Sequence, residues 1–160
     1  MPSDVPSGAT GRLRADITLD PWQLTFADDE RGVVLAEGDD AQAPGFWGSL
    51  GFRTAQGWAH AVRAVSHRRR GRALIAVLAT TDVEGRRLVV RVMPDGPGVI
   101  AVEARLENGP AADVSALGIG WALDAGERLF GFGERSNAVE QRDVVLEDWS
   151  AEGPFHPSRA

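Results

Sequence analysis

Apolar and polar side chains alternate along much of this chain, and the alternation predicts strands rather than helices. Trp22, Leu24 and Phe26 alternate with polar residues, residues 28–32 form a turn-like run that ends in glycine, and residues 33–36 are apolar again. A period of two on either side of a turn is typical of a β-hairpin.

The middle of the chain shows the same pattern more clearly. Residues 58–67 alternate, residues 73–79 are apolar throughout and suit a strand covered on both faces, and residues 87–93 follow a turn. Residues 100–106 form the cleanest strand, because apolar side chains occupy one face while Glu103 and Arg105 share the other. Residues 38–56 hold four glycines and a proline, and this composition predicts a loop.

These elements predict an all-β fold, an antiparallel β-sandwich. No segment shows a helical stripe with caps, and glycines and prolines interrupt most candidates. The 160 residues fit one domain. Residues 1–11 mix Pro, Ser, Gly and Asp and predict a disordered N-terminus, so the sandwich is assigned to residues 12–160.

Charge and composition narrow the function classes. A formal net charge of −6 argues against a nucleic-acid partner. The basic cluster Arg68-Arg69-Arg70, with Arg72 beyond it, suits a solvated strand end or turn, and an anion site is the less favoured interpretation. Cysteine is absent, which excludes thiolate chemistry and disulfides. No secretory signal and no apolar run of about 20 residues is present, so we expect a cytoplasmic protein without a membrane partner.

No self-contained active site is recognisable in the sequence. His60 and His67 differ by an odd number of positions and would point to opposite faces of one regular strand, and His156 lies far from both in the chain. Hence no metal site is predicted. A Gly-x-Ser-x-Gly motif, a complete dinucleotide fingerprint and a phosphate-binding lysine are all missing, so no cofactor is expected either.

The five tryptophans offer a different chemistry, because the flat apolar face of an indole matches the C–H face of a sugar ring. Trp58 and Trp121 lie on apolar strand faces and are predicted to be core residues. Trp47 and Trp149 stand in loop-like context and are the better candidates for a sugar platform.

Near the C-terminal end the sequence resembles glycoside hydrolase family 31. The similarity rests on residues 127–135, ERLFGFGER, and on a following segment that reaches Asp148-Trp149-Ser150-Ala151-Glu152. An opening Pro21-Trp22-Gln23-Leu24-Thr25-Phe26 also looks like the first hairpin of the family, although only the last ~35 residues are specific to it.

This resemblance implies a galactose mutarotase-like sandwich that precedes a catalytic (β/α)8 barrel. In the family the barrel supplies two aspartates that hydrolyse α-linked glucosides or xylosides with retention, so no catalytic residue is expected here. The sandwich of the family contributes a loop whose Trp-x-x-Asp aspartate contacts sugar hydroxyls. The corresponding substrate-binding residues would be Trp149 and Glu152, where glutamate replaces aspartate.

The implied protein is a non-catalytic sandwich, inactive alone, whose partners are the sugar substrate and the barrel of the same polypeptide. Since the family's sandwich has further strands, we expect residues 12–160 to be truncated before the barrel. Two alternatives remain. A stand-alone carbohydrate-binding module would need several aromatic residues on one exposed face, and a structural interaction sandwich would show an exposed apolar patch.

Overall fold

The computed structural model describes residues 5–10, 13–109, 113–122 and 126–127. The chain divides into two compact units, Met1–Leu123 and Asp124–Ala160. All described strands belong to the first unit, and only Gly126 and Glu127 of the second are described. The strands are β1 Val5–Thr10, β2 Leu13–Leu19, β3 Trp22–Asp28, β4 Gly32–Glu37, β5 Gly51–Thr54, β6 Gly57–Arg70, β7 Ala73–Thr80, β8 Arg87–Pro94, β9 Ile100–Glu107, β10 Ala116–Gly118 and β11 Trp121–Ala122.

The strands form two antiparallel sheets, which confirms the predicted all-β sandwich. The first sheet has the order β1-β2-β3-β4-β11, and the second has the order β10-β5-β6-β7-β8-β9. Most neighbours in the sheets are consecutive in the chain, as expected for hairpins joined by short turns. Among the residues that the structure describes, no helix is long and apolar enough to cross a membrane.

The predicted first hairpin is confirmed as β3 and β4. Its turn is stabilised by Asp28, whose side-chain Oδ1 accepts hydrogen bonds from the backbone N–H groups of Glu30 at 2.9 Å and Arg31 at 3.0 Å. Gly32 follows with a φ of +76°, which a residue without a Cβ atom adopts at little cost. The turn residues and the alternating side chains of β3 therefore both favour this hairpin.

The core lies between the two sheets. Ile17 and Leu24 from the first sheet and Phe52, Leu78 and Leu88 from the second are almost completely buried in one apolar cluster. Burying a side chain of this size stabilises the fold by about 1.5–3 kcal/mol relative to leaving it exposed to water. On β9, Ala104 and Leu106 of the predicted apolar face pack against the core and Glu103 and Arg105 are exposed, although Val102 of the apolar face is 39% exposed.

Two segments differ from the sequence-based expectation. Residues 38–56 are not loop throughout, because β5 occupies Gly51–Thr54 and pairs with both β6 and β10. β5 begins with a glycine, which is unusual for a strand, yet its Phe52 is fully buried. Near the N-terminus, β1 lies within residues 1–11, where composition predicts a disordered segment, and it pairs with β2. Main-chain hydrogen bonding to an open sheet edge does not require apolar side chains.

Candidate functional site

The loop between β4 and β5, residues 38–50, carries two exposed aromatic side chains. Phe46 is 60% exposed and Trp47 is 56% exposed. Their rings meet edge to face, with centroids 5.7 Å apart and planes at 76°. Two exposed aromatic rings in contact with each other form an apolar patch, and such patches are typical of binding surfaces. We refer to residues 38–50 as the aromatic loop.

Glycines make room for these aromatic rings. A Cβ atom on Gly45 would lie 1.9 Å from Cζ3 of Trp47, so the indole ring lies directly against the Gly45 backbone. A Cβ atom on Gly118 in β10 would lie 2.9 Å from Cη2 of Trp58 and 3.7 Å from Cβ of Phe46. Gly118 therefore brings Phe46 and Trp58 to the same place on the surface.

Trp58 is not the core residue that the strand pattern predicts. It is half-buried and stacks on His60, with ring centroids 5.9 Å apart and planes at 15°. It also lines an open cavity of about 310 Å³ together with Gln42, Gln56 and Thr81. Trp121, by contrast, packs against the core as predicted. An indole with side-chain amides around it is a suitable surface for a hydroxylated ring.

Glu37, at the end of β4, anchors the aromatic loop at both ends. Its carboxylate accepts hydrogen bonds from the backbone N–H of Leu24 in β3, at 2.7 Å, and from that of Leu50, which precedes β5. The residue is 1% exposed. A buried carboxylate that accepts main-chain N–H groups from both sheets holds the ends of the loop in place.

Burial dominates the electrostatics of Glu37. It raises the pKa of this carboxyl group from 4.5 to about 7, against the smaller lowering influence of the Leu50 and Leu24 N–H groups. The indole of Trp22 lowers the pKa least, and its Nε1 is buried without a hydrogen-bond partner of good geometry. A proton therefore binds to Glu37 close to neutral pH.

His60 fastens the middle of the aromatic loop. Its Nε2 lies 2.8 Å from the carbonyl oxygen of Gly45, and its Nδ1 contacts the carbonyl oxygen of Ser49. The ring is completely buried. Each ring nitrogen thus faces a carbonyl oxygen of the loop, and a ring N–H directed at either oxygen donates a hydrogen bond to it. Ser49 Oγ adds a hydrogen bond to the carbonyl of Ala61 at 2.8 Å.

The segment between β10 and β11 supports the loop from a third direction. The backbone N–H of Gly38 donates to the carbonyl of Gly120 at 2.8 Å, and the N–H of Gly120 donates to the carbonyl of Gly48 at 2.9 Å. A Cβ atom on Gly120 would lie 2.3 Å from the carbonyl oxygen of Trp47, so only glycine permits this approach. The aromatic pair is consequently presented by backbone that is held on several sides.

A second polar cluster is centred on the buried Arg86, which is 2% exposed. Its guanidinium contacts Asp82 at 3.0 Å, Glu84 at 2.6 Å and Asp113 at 3.4 Å, while its Nε is buried without a partner. Its backbone N–H also donates to Asp82, at 3.0 Å. These contacts fasten the β7–β8 turn, and the cluster is structural. The sequence contains a hint of it, since Asp82 and Glu84 lie four and two positions before this arginine.

The sequence-predicted site residues have different positions. Trp149 and Glu152 lie outside the described residues, as does the similarity segment from residue 128 onward. Trp47 is exposed in a loop, as predicted. His60 is buried whereas His67 is exposed, and no group of three or more potential metal ligands occurs in the part of the chain that the structure describes. Glu37 and His60 were missed because sequence does not reveal which polar residues support a loop.

Comparison with known proteins does not assign the chain to a family. No family model, no curated protein and no solved structure matches it. The described residues define the class at the level of fold and surface: an antiparallel β-sandwich that presents Phe46, Trp47 and Trp58 around a loop with a buried polar support.

Proposed function

We propose that this chain is a non-catalytic β-sandwich that binds α-linked glucosides or xylosides as part of a retaining α-glycosidase. The observation that carries the sugar-binding part is the Trp47 ring, exposed on a loop whose backbone is fastened by Glu37 and His60. A rigid, exposed aromatic ring stacks on a sugar without a large ordering cost.

The glycosidase part of the proposal rests on the sequence segment Gly131-Phe132-Gly133-Glu134-Arg135 and on its resemblance to family 31. Under this proposal the two catalytic aspartates belong to a barrel, and the sandwich is inactive alone. Trp149 and Glu152 are then its contribution to the substrate pocket. A galactose mutarotase-like sandwich and a cytoplasmic location are further parts of the proposal, and cell fractionation tests the latter.

The sugar-binding part is tested by titrating the purified chain with maltotriose and with an α-xyloside and following tryptophan fluorescence. Trp47→Ala should weaken binding about tenfold, since an aromatic contact of this kind contributes roughly 1–1.5 kcal/mol. Val33→Ala is the matched control, because Val33 is also an exposed apolar residue, at 62%. Equal affinity of Trp47→Ala and the unaltered chain would remove the main support for the proposal.

A stand-alone carbohydrate-binding module is the second candidate, and one observation favours it. Phe46 and Trp58, which are distant in sequence, meet at Gly118 beside the exposed Trp47. A module of this kind needs several clustered aromatic residues. The reading frame of the source DNA separates the two candidates. A barrel with an aspartate nucleophile, active on α-glucosides or α-xylosides, supports the glycosidase. Sugar binding by a protein without such a barrel supports the module.

A further inference from the structure

The outer face of the second sheet forms a groove whose charged lining residues are Arg68, Arg91, Arg105, Glu103 and Glu107. Backbone pairing aligns side chains across β6, β7, β8 and β9 in two neighbouring rows. The first row is Arg68, Ile75, Arg91 and Glu103, and the second is Ser66, Val77, Val89 and Arg105. On the two central strands Ile75, Val77 and Val89 are apolar and Arg91 is charged, whereas the flanking residues on β6 and β9 are charged or polar.

Two adjoining cavities, of about 340 and 330 Å³, lie over these rows. Both are lined by Arg68, Ile75, Val89 and Arg105, so they form one continuous groove. Val89 is only 7% exposed although it faces outward, which means that longer side chains cover it. Arginine side chains cover apolar surface with their methylene groups and keep the guanidinium in water. Cavities of this size fall within the usual range of small-molecule sites.

The charges of the groove are not balanced internally. Arg91 pairs with Glu103 at 3.3 Å, but Arg68 and Arg105 make no ion pair within the described part of the chain. An arginine guanidinium recognises planar carboxylate groups and sulfate through paired hydrogen bonds. Two unpaired guanidinium groups on an acidic protein, beside an apolar floor, therefore favour an anionic ligand over a neutral one.

We propose that this groove binds an acidic carbohydrate, that is, a sugar ring carrying a carboxylate or a sulfate. The C–H face of the ring would rest on the partly exposed side chains of Ile75 and Val77, and the anionic group would contact Arg68 and Arg105. Glu107, which also lines the groove, accepts hydrogen bonds from hydroxyl groups but repels a dense polyanion. This mixture of groups distinguishes a hydroxylated monoanionic unit from an acidic peptide or a nucleic acid. The proposal does not depend on the aromatic loop.

The test is a calorimetric or NMR titration of the whole chain with trigalacturonate, with a sulfated glucose trimer and with maltotriose. Binding of trigalacturonate identifies the carboxylate as the group recognised, and binding of the sulfated trimer identifies the sulfate. The double variant Arg68→Gln/Arg105→Gln should weaken the acidic ligand at least about tenfold, since each charge-assisted hydrogen bond contributes strongly. Arg31→Gln removes an exposed arginine from the turn between β3 and β4, outside the groove, and should leave the affinity for the acidic ligand unchanged.

Several results overturn the inference. They are no binding of either acidic trimer, equal affinity of the double variant and the unaltered chain, equal binding of maltotriose in the same groove, and tighter binding of an acidic peptide than of either acidic trimer. Trp47→Ala separates this site from the aromatic loop, because it should weaken maltotriose while leaving the acidic trimer unaffected. Loss of maltotriose binding alone would contradict the proposed function without touching the groove.

Discussion

The carboxylate of Glu37 accepts a hydrogen bond from the backbone N–H of Leu50, and the two residues mark the ends of the aromatic loop. Glu37 ends β4 in the first sheet, whereas Leu50 directly precedes β5 in the second. One buried side chain therefore joins the two sheets at the point where the chain passes between them. Because the carboxyl group of Glu37 joins the sheets at this point, the protonation state of Glu37 should affect the stability of the sandwich.

We expect the free energy of unfolding to fall as the pH rises from about 4.5 to 7, through the contribution of Glu37. The folded pKa of about 7 lies above the unfolded value of 4.5, so the unfolded chain releases this proton first. The stabilising contribution of Glu37 is complete below pH 4.5 and is lost as the pH approaches 7, and its size is on the order of 3 kcal/mol. Urea unfolding at several pH values measures it.

Glu37→Gln is the control for this pH dependence. Its amide group cannot accept both backbone N–H groups, so the variant should be less stable than the unaltered protein at low pH, by roughly 1–3 kcal/mol. It does not titrate, and therefore the difference between the two proteins should shrink as the pH rises. A difference that stays constant or grows from pH 4.5 to 7 would show that burial does not dominate at Glu37.

Replacing His60 by leucine should destabilise the fold by on the order of 2–4 kcal/mol. The change leaves the buried carbonyl groups of Gly45 and Ser49 without the imidazole that contacts them. His67→Leu is a matched control in the same strand, because His67 is exposed and should change stability by less than about 0.5 kcal/mol. Hydrogen exchange of the aromatic-loop amides should accelerate only in the His60 variant. Comparable effects at both positions would contradict a supporting role for His60.

Arg86→Met should cost about 3–5 kcal/mol, because it leaves the nearly buried carboxylate of Asp82 without its cation. Arg14 provides the comparison. It also contacts two carboxylates, those of Asp16 at 3.0 Å and Asp29 at 3.2 Å, but its side chain is 41% exposed. Exposed pairs contribute about 0–1 kcal/mol, so Arg14→Met should be close to neutral. Equilibrium urea unfolding of both variants decides whether burial produces the difference.

Sequence periodicity identified the elements in which local pattern and tertiary environment agree. The alternation of β3 holds, because Trp22, Leu24 and Phe26 are buried, and on β9 Ala104 and Leu106 pack against the core. β5 was hidden because four residues are too few to show a period, and its first residue is glycine. Trp58 was misassigned because the strand pattern does not show that β10 leaves it at the surface beside Gly118. Contacts between distant segments are not encoded in a local period.

Local sequence patterns also predict the candidate site around the aromatic loop only in part. A loop-like context predicted that Trp47 is exposed, since glycines and a proline surround it in the sequence. The supporting residues could not be found in this way, because a polar residue in a strand is ordinarily expected at the surface, whereas Glu37 and His60 are buried. Such residues become recognisable only when their hydrogen-bond partners are known.

Gly45→Ala should move the Trp47 ring without unfolding the protein. The added methyl carbon would lie 1.9 Å from Cζ3 of Trp47, so the ring must turn away, and an exposed side chain can do so at a cost of about 1 kcal/mol or less. The indole N–H resonance of Trp47, assigned by its loss in Trp47→Phe, should shift, and maltotriose binding should weaken by a factor similar to that of Trp47→Ala. Gly126→Ala is the control, because its Cβ atom would meet no atom of the described residues within 4 Å. A shifted resonance with unchanged sugar affinity would show that the ring's position against Gly45 is irrelevant to binding.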